Sequence, residues 1–249
     1  MRMVLFAKRN IKEILRDPVN LFFSLGFPLV LLVLLSIINA AIPSEAKNTM
    51  FQIQNLAPGL AMFGSVFMAL FAGMLLSKDR TSSFLMRLFT SPMTAADFIL
   101  GYTLPMLVMT IVQAAITLLA AGAFGLDIHI NILFAISMTA VTSLFFVGTG
   151  LLFGSLLNEK AVGGVCGALL TNTAGWLSGV FIPIDLIGGA FKTITHILPF
   201  YHSTEAIRES LSGNFAQILP HLIVVIGYTI VIFTLAIITF NRRMNGEKA

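Results

Sequence analysis

Six apolar runs, none with an Asp, Glu, Lys or Arg inside it, divide this chain: residues 19–42, 56–76, 98–124, 131–157, 161–182 and 219–240. At about 1.5 Å per residue, each is long enough as a helix to cross roughly 30 Å of hydrocarbon. Helices are required, because backbone groups left unpaired in lipid are costly and a helix satisfies its own. The composition agrees: 57% of the 249 residues are hydrophobic and 10% are charged, where soluble domains carry roughly a quarter charged residues. The expected fold is all-α and integral to a membrane, a single transmembrane domain over 1–249. The formal charge of +4 comes from basic residues in the loops. There it sets topology and implies no nucleic acid.

Residues 1–18 precede the first run. On a helical wheel Val4, Ala7, Ile11, Ile14 and Leu15 share one arc, opposed by Arg9, Lys12, Glu13, Arg16 and Asp17. The pattern predicts an amphipathic interfacial helix, with Lys8, Arg9, Lys12 and Arg16 toward lipid head groups. Six spans place both termini on one side. With that side cytoplasmic, Arg2, Lys8, Arg9, Lys12, Arg16, Lys78, Arg80, Arg87, Lys160, Arg242, Arg243 and Lys248 are inside, and Lys47, Lys192 and Arg208 are outside. Twelve against three is a positive-inside bias. The tail 241–249 is then cytoplasmic, and no cleavable signal segment is expected.

Between the second and third runs lies a polar island, residues 77–97, with Lys78, Asp79, Arg80, Arg87 and Asp97. It reads as a cytoplasmic loop that receives force from a separate soluble protein. Thr94 and Asp97 predict a helix start, a hydroxyl cap with an acid in the first turn. Pro28 and Pro105 predict kinks. Phe63, Phe67 and Phe71 share a helix face, read either as packing or as part of a substrate path. Asn172 and Trp176 in the fifth run take the same two readings, interhelical bonding or pathway lining. Glycine pairs four apart, Gly150/Gly154, Gly163/Gly167 and Gly175/Gly179, predict close helix approach. Residues 183–218 are too apolar for a plain loop and too broken to span. They predict short re-entrant or interfacial helices on the extracytoplasmic side.

No catalytic constellation accompanies this architecture. The GGAFKT around Lys192 lacks the spacing of a phosphate-binding loop. His129, His196, His202 and His221 show no metal-ligand spacing, and Cys166 has no partner for a disulfide. No catalytic residue, metal or bound cofactor is therefore expected of this chain. An ion- or proton-coupled carrier remains the alternative, although such carriers usually place a carboxylate within a span.

Three segments together resemble the membrane subunit of ABC-2-type transporters, the permease class of bacterial drug, lipid and polysaccharide exporters. They are the basic amphipathic helix, LMRLFTSPMTAADFILG between spans two and three, and LSGVFIPIDLIGGAFKTITHILPFYHSTEAIRESL after span five. The resemblance implies six helices per subunit, a second permease copy or paralogue, and two cytoplasmic ABC ATPase subunits that hold ATP and Mg. It implies a multi-pass protein of a bacterial or archaeal cytoplasmic membrane that exports a hydrophobic or amphipathic substrate. It also implies that the island forms an ATPase-coupling helix through Lys78, Arg80, Phe84, Arg87, Leu88, Phe89, Thr90, Ser91 and Pro92. Many members carry an acidic, glycine-containing run where this chain has Asp79-Arg80-Thr81-Ser82-Ser83. Phe63, Phe67, Asn172 and Trp176 are the expected path residues, and membrane lipid is an expected partner.

Overall fold

The computed structural model describes residues 2–43 and 51–246, and every regular element among them is helical. Met1, residues 44–50 and residues 247–249, with Lys47 and Lys248 and much of the predicted loop 44–55, lie outside the described residues. Helix α1 (Arg2–Leu15) is followed by α2 (Pro18–Leu21), a π turn over Phe22–Gly26, and α3 (Phe27–Ala41). These last three form one continuous helix, Pro18–Ala41. Next come α4 (Ile53–Thr81), the short α5 (Ser83–Leu88), α6 (Ala95–Ala121) and α7 (Asn131–Leu156). A second unbroken helical stretch, 159–177, joins α8 (Glu159–Val162), a π segment Gly163–Leu170 and α9 (Thr171–Leu177). Then follow α10 (Ile184–Ile187), α11 (Gly189–Ile197), α12 (Pro199–Ser212) and α13 (Phe215–Gly246).

Among the described residues five helices are long and apolar enough to cross a membrane: Pro18–Ala41, Ile53–Thr81, Ala95–Phe124, Asn131–Leu156 and Phe215–Gly246. The predicted fifth run falls on 159–177. The predicted run 161–182 is helical only as far as Leu177, and the stretch 159–177, which opens on Glu159 and Lys160, is not among these five.

Helix α4 is the centre of the bundle. Its most apolar window is 89% buried, against 17% for Pro18–Ala41 and 11% for α13. It meets α7 with backbone against backbone. A Cβ added at Gly150 would land on the carbonyl oxygen of Ala69, and one at Gly154 would stand 2.6 Å from the carbonyl oxygen of Gly73. This is the close approach expected of the Gly150/Gly154 pair. Gly163 and Gly167 do not repeat it: a Cβ at Gly163 would meet nothing within 4 Å, and one at Gly167 only the Leu70 side chain at 3.5 Å.

The prolines act locally. Pro28 has no N–H and its ring crowds the carbonyl of residue 24. The helix answers by widening to a π turn just before it, with the Phe27 N–H bonded back to Phe22 O. Pro105 sits inside the unbroken α6.

The segment 183–218 resolves into α10, α11 and α12. Gly188, at φ 63°, separates the first two, and Gly189, at φ 54°, opens α11. Helix α12 is wedged among α4, α7 and α13, with Phe200 against Phe145 at 5.7 Å and Phe146 at 6.0 Å. Across its outer edge His202 Nδ1 lies 2.8 Å from His221 Nδ1 of α13.

Both ends of the described chain lie at one end of the bundle. Arg9 of α1 bonds Asp79 near the end of α4, and Arg243 near the end of α13 bonds Leu156 O at the end of α7.

Candidate coupling site

The polar island folds as an extension of the helices beside it, and part of its charge points inward. Helix α4 does not stop where its apolar run ends but continues through Ser77, Lys78, Asp79 and Arg80 to Thr81. Each of these side chains meets a partner. Asp79 is 3% exposed. Its carboxylate accepts hydrogen bonds from Arg9 Nη1, from Arg9 Nη2 at 3.0 Å, and from the Tyr102 hydroxyl at 2.8 Å. The Arg9 guanidinium also sits 4.2 Å over the Phe84 ring. Glu13 closes the cluster, 3.9 Å from Arg9 through one oxygen and 3.7 Å from Lys78 through the other. Burial pulls the Arg9 guanidinium down, its bond and attraction to Asp79 pull it up, and the net displacement is upward.

Arg80 reaches in a different direction. It donates to the carbonyls of Ser155 and, at 2.7 Å, Leu157. Ser77 Oγ donates to the same Leu157 oxygen at 3.0 Å, and Arg243 donates to Leu156 O at 3.0 Å. These oxygens end α7 and have no intrahelical donor. Two guanidinium groups there supply donors and offset the negative end of the helix dipole.

Helix α1 docks on this unit through Phe6, Ala7, Asn10 and Ile14, which recur at helical spacing. Of the expected apolar arc, Ala7 and Ile14 pack inward, while Val4 is 57% and Leu15 56% exposed. The reason lies in α6. Gly101 has no side chain, so Phe6 packs where a Cβ would stand 2.5 Å from its ring. Asn10 is tolerated on the buried face because its amide donates to Gly101 O at 3.1 Å. Phe6 then meets Tyr102 at 4.9 Å, Phe98 at 5.5 Å and Phe84 at 6.5 Å. Lys8, Lys12 and Arg16 remain exposed, whereas Arg9 turns inward.

Helix α5 hangs from this nest. Ser82 accepts from the Phe84 N–H at its start and donates to Asp79 O at 2.9 Å. Leu85 and Phe89 are buried, and Phe89 packs on Phe98 at 5.7 Å and Phe240 at 5.9 Å. Leu88 is half-buried; Arg87, Thr90 and Pro92 are exposed. Ser91 Oγ is buried with no hydrogen-bond partner among the described residues. Helix α6 opens on the predicted cap: Thr94 Oγ1 accepts from the Asp97 N–H at 3.2 Å, and Asp97 accepts from the Thr94 N–H at 2.9 Å. Thr94→Ala is expected to lower stability by about 1 kcal/mol, read as a lower melting temperature in detergent. Thr94→Ser should keep the wild-type value, and an unchanged Thr94→Ala protein would count against the cap.

A family model described as ABC-2 type transporter matches residues 2–212, from the start of α1 to the end of α12. The chain belongs to the ABC-2 type transporter family. Nodulation protein J of Rhizobium meliloti (strain 1021) is 26% identical to it over 125 residues, which is 50% of this chain and 48% of that protein. Nodulation protein J of Rhizobium leguminosarum bv. viciae is 27% identical over 127 residues, 51% of this chain and 49% of the other. The matched region thus spans about half the length of these curated relatives. With its family and its five long apolar helices, the chain is a multi-pass membrane transport component.

In this ABC-2 chain the expected path residues fall into two groups. Phe63 and Phe67 are buried, 5% and 6% exposed. Phe63 sits edge-to-face with Phe181 at 5.1 Å, and Phe67 meets Phe27 at 5.4 Å and Phe23 at 6.0 Å. Asn172 and Trp176, one turn apart on α9, face outward, and Trp176 is 56% exposed. The Asn172 amide donates to Ala168 O of its own helix at 2.8 Å. Within one subunit, therefore, two of the four face inward and two outward. Among residues the sequence reading left unassigned, Tyr102, Asn10 and Glu13 join Asp79 in the cluster. The available signal was an acid one turn past the end of an apolar run, with an arginine on the neighbouring amphipathic helix.

Proposed function

We propose that this chain is the permease subunit of an ATP-driven exporter and that the outward face of α5 is where an ABC ATPase docks. The observation that supports this is the division of α5 and the turn after it into an inward side, Phe84, Leu85 and Phe89, and an outward side, Arg87, Thr90 and Pro92. The inward side is bound to α1, α4 and α6 through the Arg9–Asp79–Tyr102 cluster and the aromatic nest. A push on α5 is thus passed to the ends of three helices. The ATPase, in two copies, holds ATP and Mg, and its closure biases two states of the permease that bind cargo differently. In this reading 159–177 is the sixth crossing. The end carrying α1 and the tip of α13 is cytoplasmic, in keeping with its share of Lys and Arg, and the membrane is a bacterial or archaeal cytoplasmic membrane. The outward Asn172 and Trp176 face a second permease copy, with a hydrophobic or amphipathic cargo moving between the two.

The test is co-purification in nanodiscs with the ATPase encoded beside this chain. Wild type is expected to retain the ATPase. An Arg87→Glu/Thr90→Asp variant, altered only at exposed positions, is expected to elute normally but to bind it at least about tenfold less tightly. Undiminished binding by the variant sinks the docking site. If the intact chain binds no ATPase yet transports under an ion gradient when purified alone, the carrier reading takes over.

A further inference from the structure

A cavity of about 270 Å³ opens where the bend between α1 and α2 faces α4 and the turn before α8. Its inner wall is apolar, built from Ile14, Phe71, Met74 and Leu75. Its mouth is charged in both senses by Glu13, Arg16, Asp17, Lys78 and Glu159. Most of these charges are engaged. The Asp17 carboxylate caps the next helix, accepting from the backbone of Val19 at 3.1 Å and Asn20 at 3.0 Å and from the Asn20 amide at 2.8 Å. Glu13 and Lys78 pair with each other. The side chains of Arg16 and Glu159 make no hydrogen bond or ion pair among the described residues. The cavity thus offers one unspent cation and one unspent anion above an apolar wall, at the depth where an apolar span gives way to a polar end.

We propose that this cavity holds one zwitterionic aminophospholipid, its phosphate on Arg16 and its ammonium on Glu159. The glycerol and first methylenes lie against Phe71, Met74 and Leu75. The acyl chains leave along Pro18–Ala41, which presents Val19 and Phe22, 62% and 53% exposed, just beside the mouth. The charge balance selects the head group. Three acids against two bases at the mouth disfavour a purely anionic lipid, since like charges near a low-dielectric wall repel. A primary ammonium donates hydrogen bonds to Glu159, which a quaternary ammonium cannot do. This site requires that the helices span a membrane and does not depend on any ATPase.

The experiment is native mass spectrometry of the full chain in detergent, titrated separately with dioleoyl phosphatidylethanolamine, phosphatidylcholine and phosphatidylglycerol, and with phosphoethanolamine alone. One phosphatidylethanolamine is expected to be retained in preference to the other two lipids. Arg16→Gln and Glu159→Gln should each weaken that retention about tenfold, the worth of one charged hydrogen bond. Arg242→Gln, exposed at the end of α13, should leave it unchanged. Equal retention of all three lipids, or unaltered retention in both cavity variants, overturns the site. Phosphoethanolamine bound as tightly as the whole lipid overturns the assignment to a lipid.

Discussion

Replacing Arg9 with alanine is expected to destabilise the folded protein by about 3 kcal/mol, the low end of the range for breaking a buried ion pair because Arg9 is partly exposed. The loss falls on Asp79. Its side chain is 5% exposed, so without Arg9 a carboxylate stays buried with a single donor, the Tyr102 hydroxyl. Arg9→Lys should recover only part of the loss, because an ammonium cannot serve both carboxylate oxygens as the planar guanidinium does. The double variant Arg9→Met/Asp79→Asn should be more stable than Arg9→Ala. It removes both charges, and the asparagine oxygen still accepts from Tyr102. Thermal melting in detergent, followed by size-exclusion recovery, reads all three. An Arg9→Ala protein that melts with wild type would mean that the cluster carries no net stability.

Gly150→Ala is the second large effect. A single methyl group there would occupy the position of the Ala69 carbonyl oxygen, and a backbone atom cannot swing aside as a side-chain tip can. Helices α4 and α7 would have to part along their length. We expect a loss of about 3 kcal/mol or more, at the upper end of overpacking costs, seen as a collapse in monodisperse yield. Gly164→Ala is the control: its Cβ would meet nothing within 4 Å, and it should melt within about 0.5 kcal/mol of wild type. Equal behaviour of the two variants would refute the close packing of α4 on α7.

Much of the architecture was legible because membrane spans announce themselves by what they lack. The run 56–76 is free of charge, and α4 covers it. What could not be read was that α4 goes on to Thr81. The partner that lets Asp79 stay in a buried helix is Arg9, 70 positions away, and Arg80 is satisfied by carbonyls 75 and 77 positions away. Local pattern carries no information about such pairings. The nine coupling residues were named without a side for each, since a six-residue helix and the turn after it are too short for a period to separate inward Phe89 from outward Arg87. The path residues met a different limit. A phenylalanine stripe looks the same whether it packs on its own chain, as Phe63 does on Phe181, or faces a cargo. The outward turn of Trp176 depends on how 159–177 lies on α4, which no single segment encodes.

The glycine seam between α4 and α7 also dictates where this subunit can bend. Two backbones in direct contact have no side-chain rotamers to exchange and hence no intermediate settings. Together they behave as a stator. Relative movement within the chain falls more readily on elements outside this seam, among them Pro18–Ala41 and the stretch 159–177. Both contain a π turn, a place where a helix can absorb or release a residue of register without breaking.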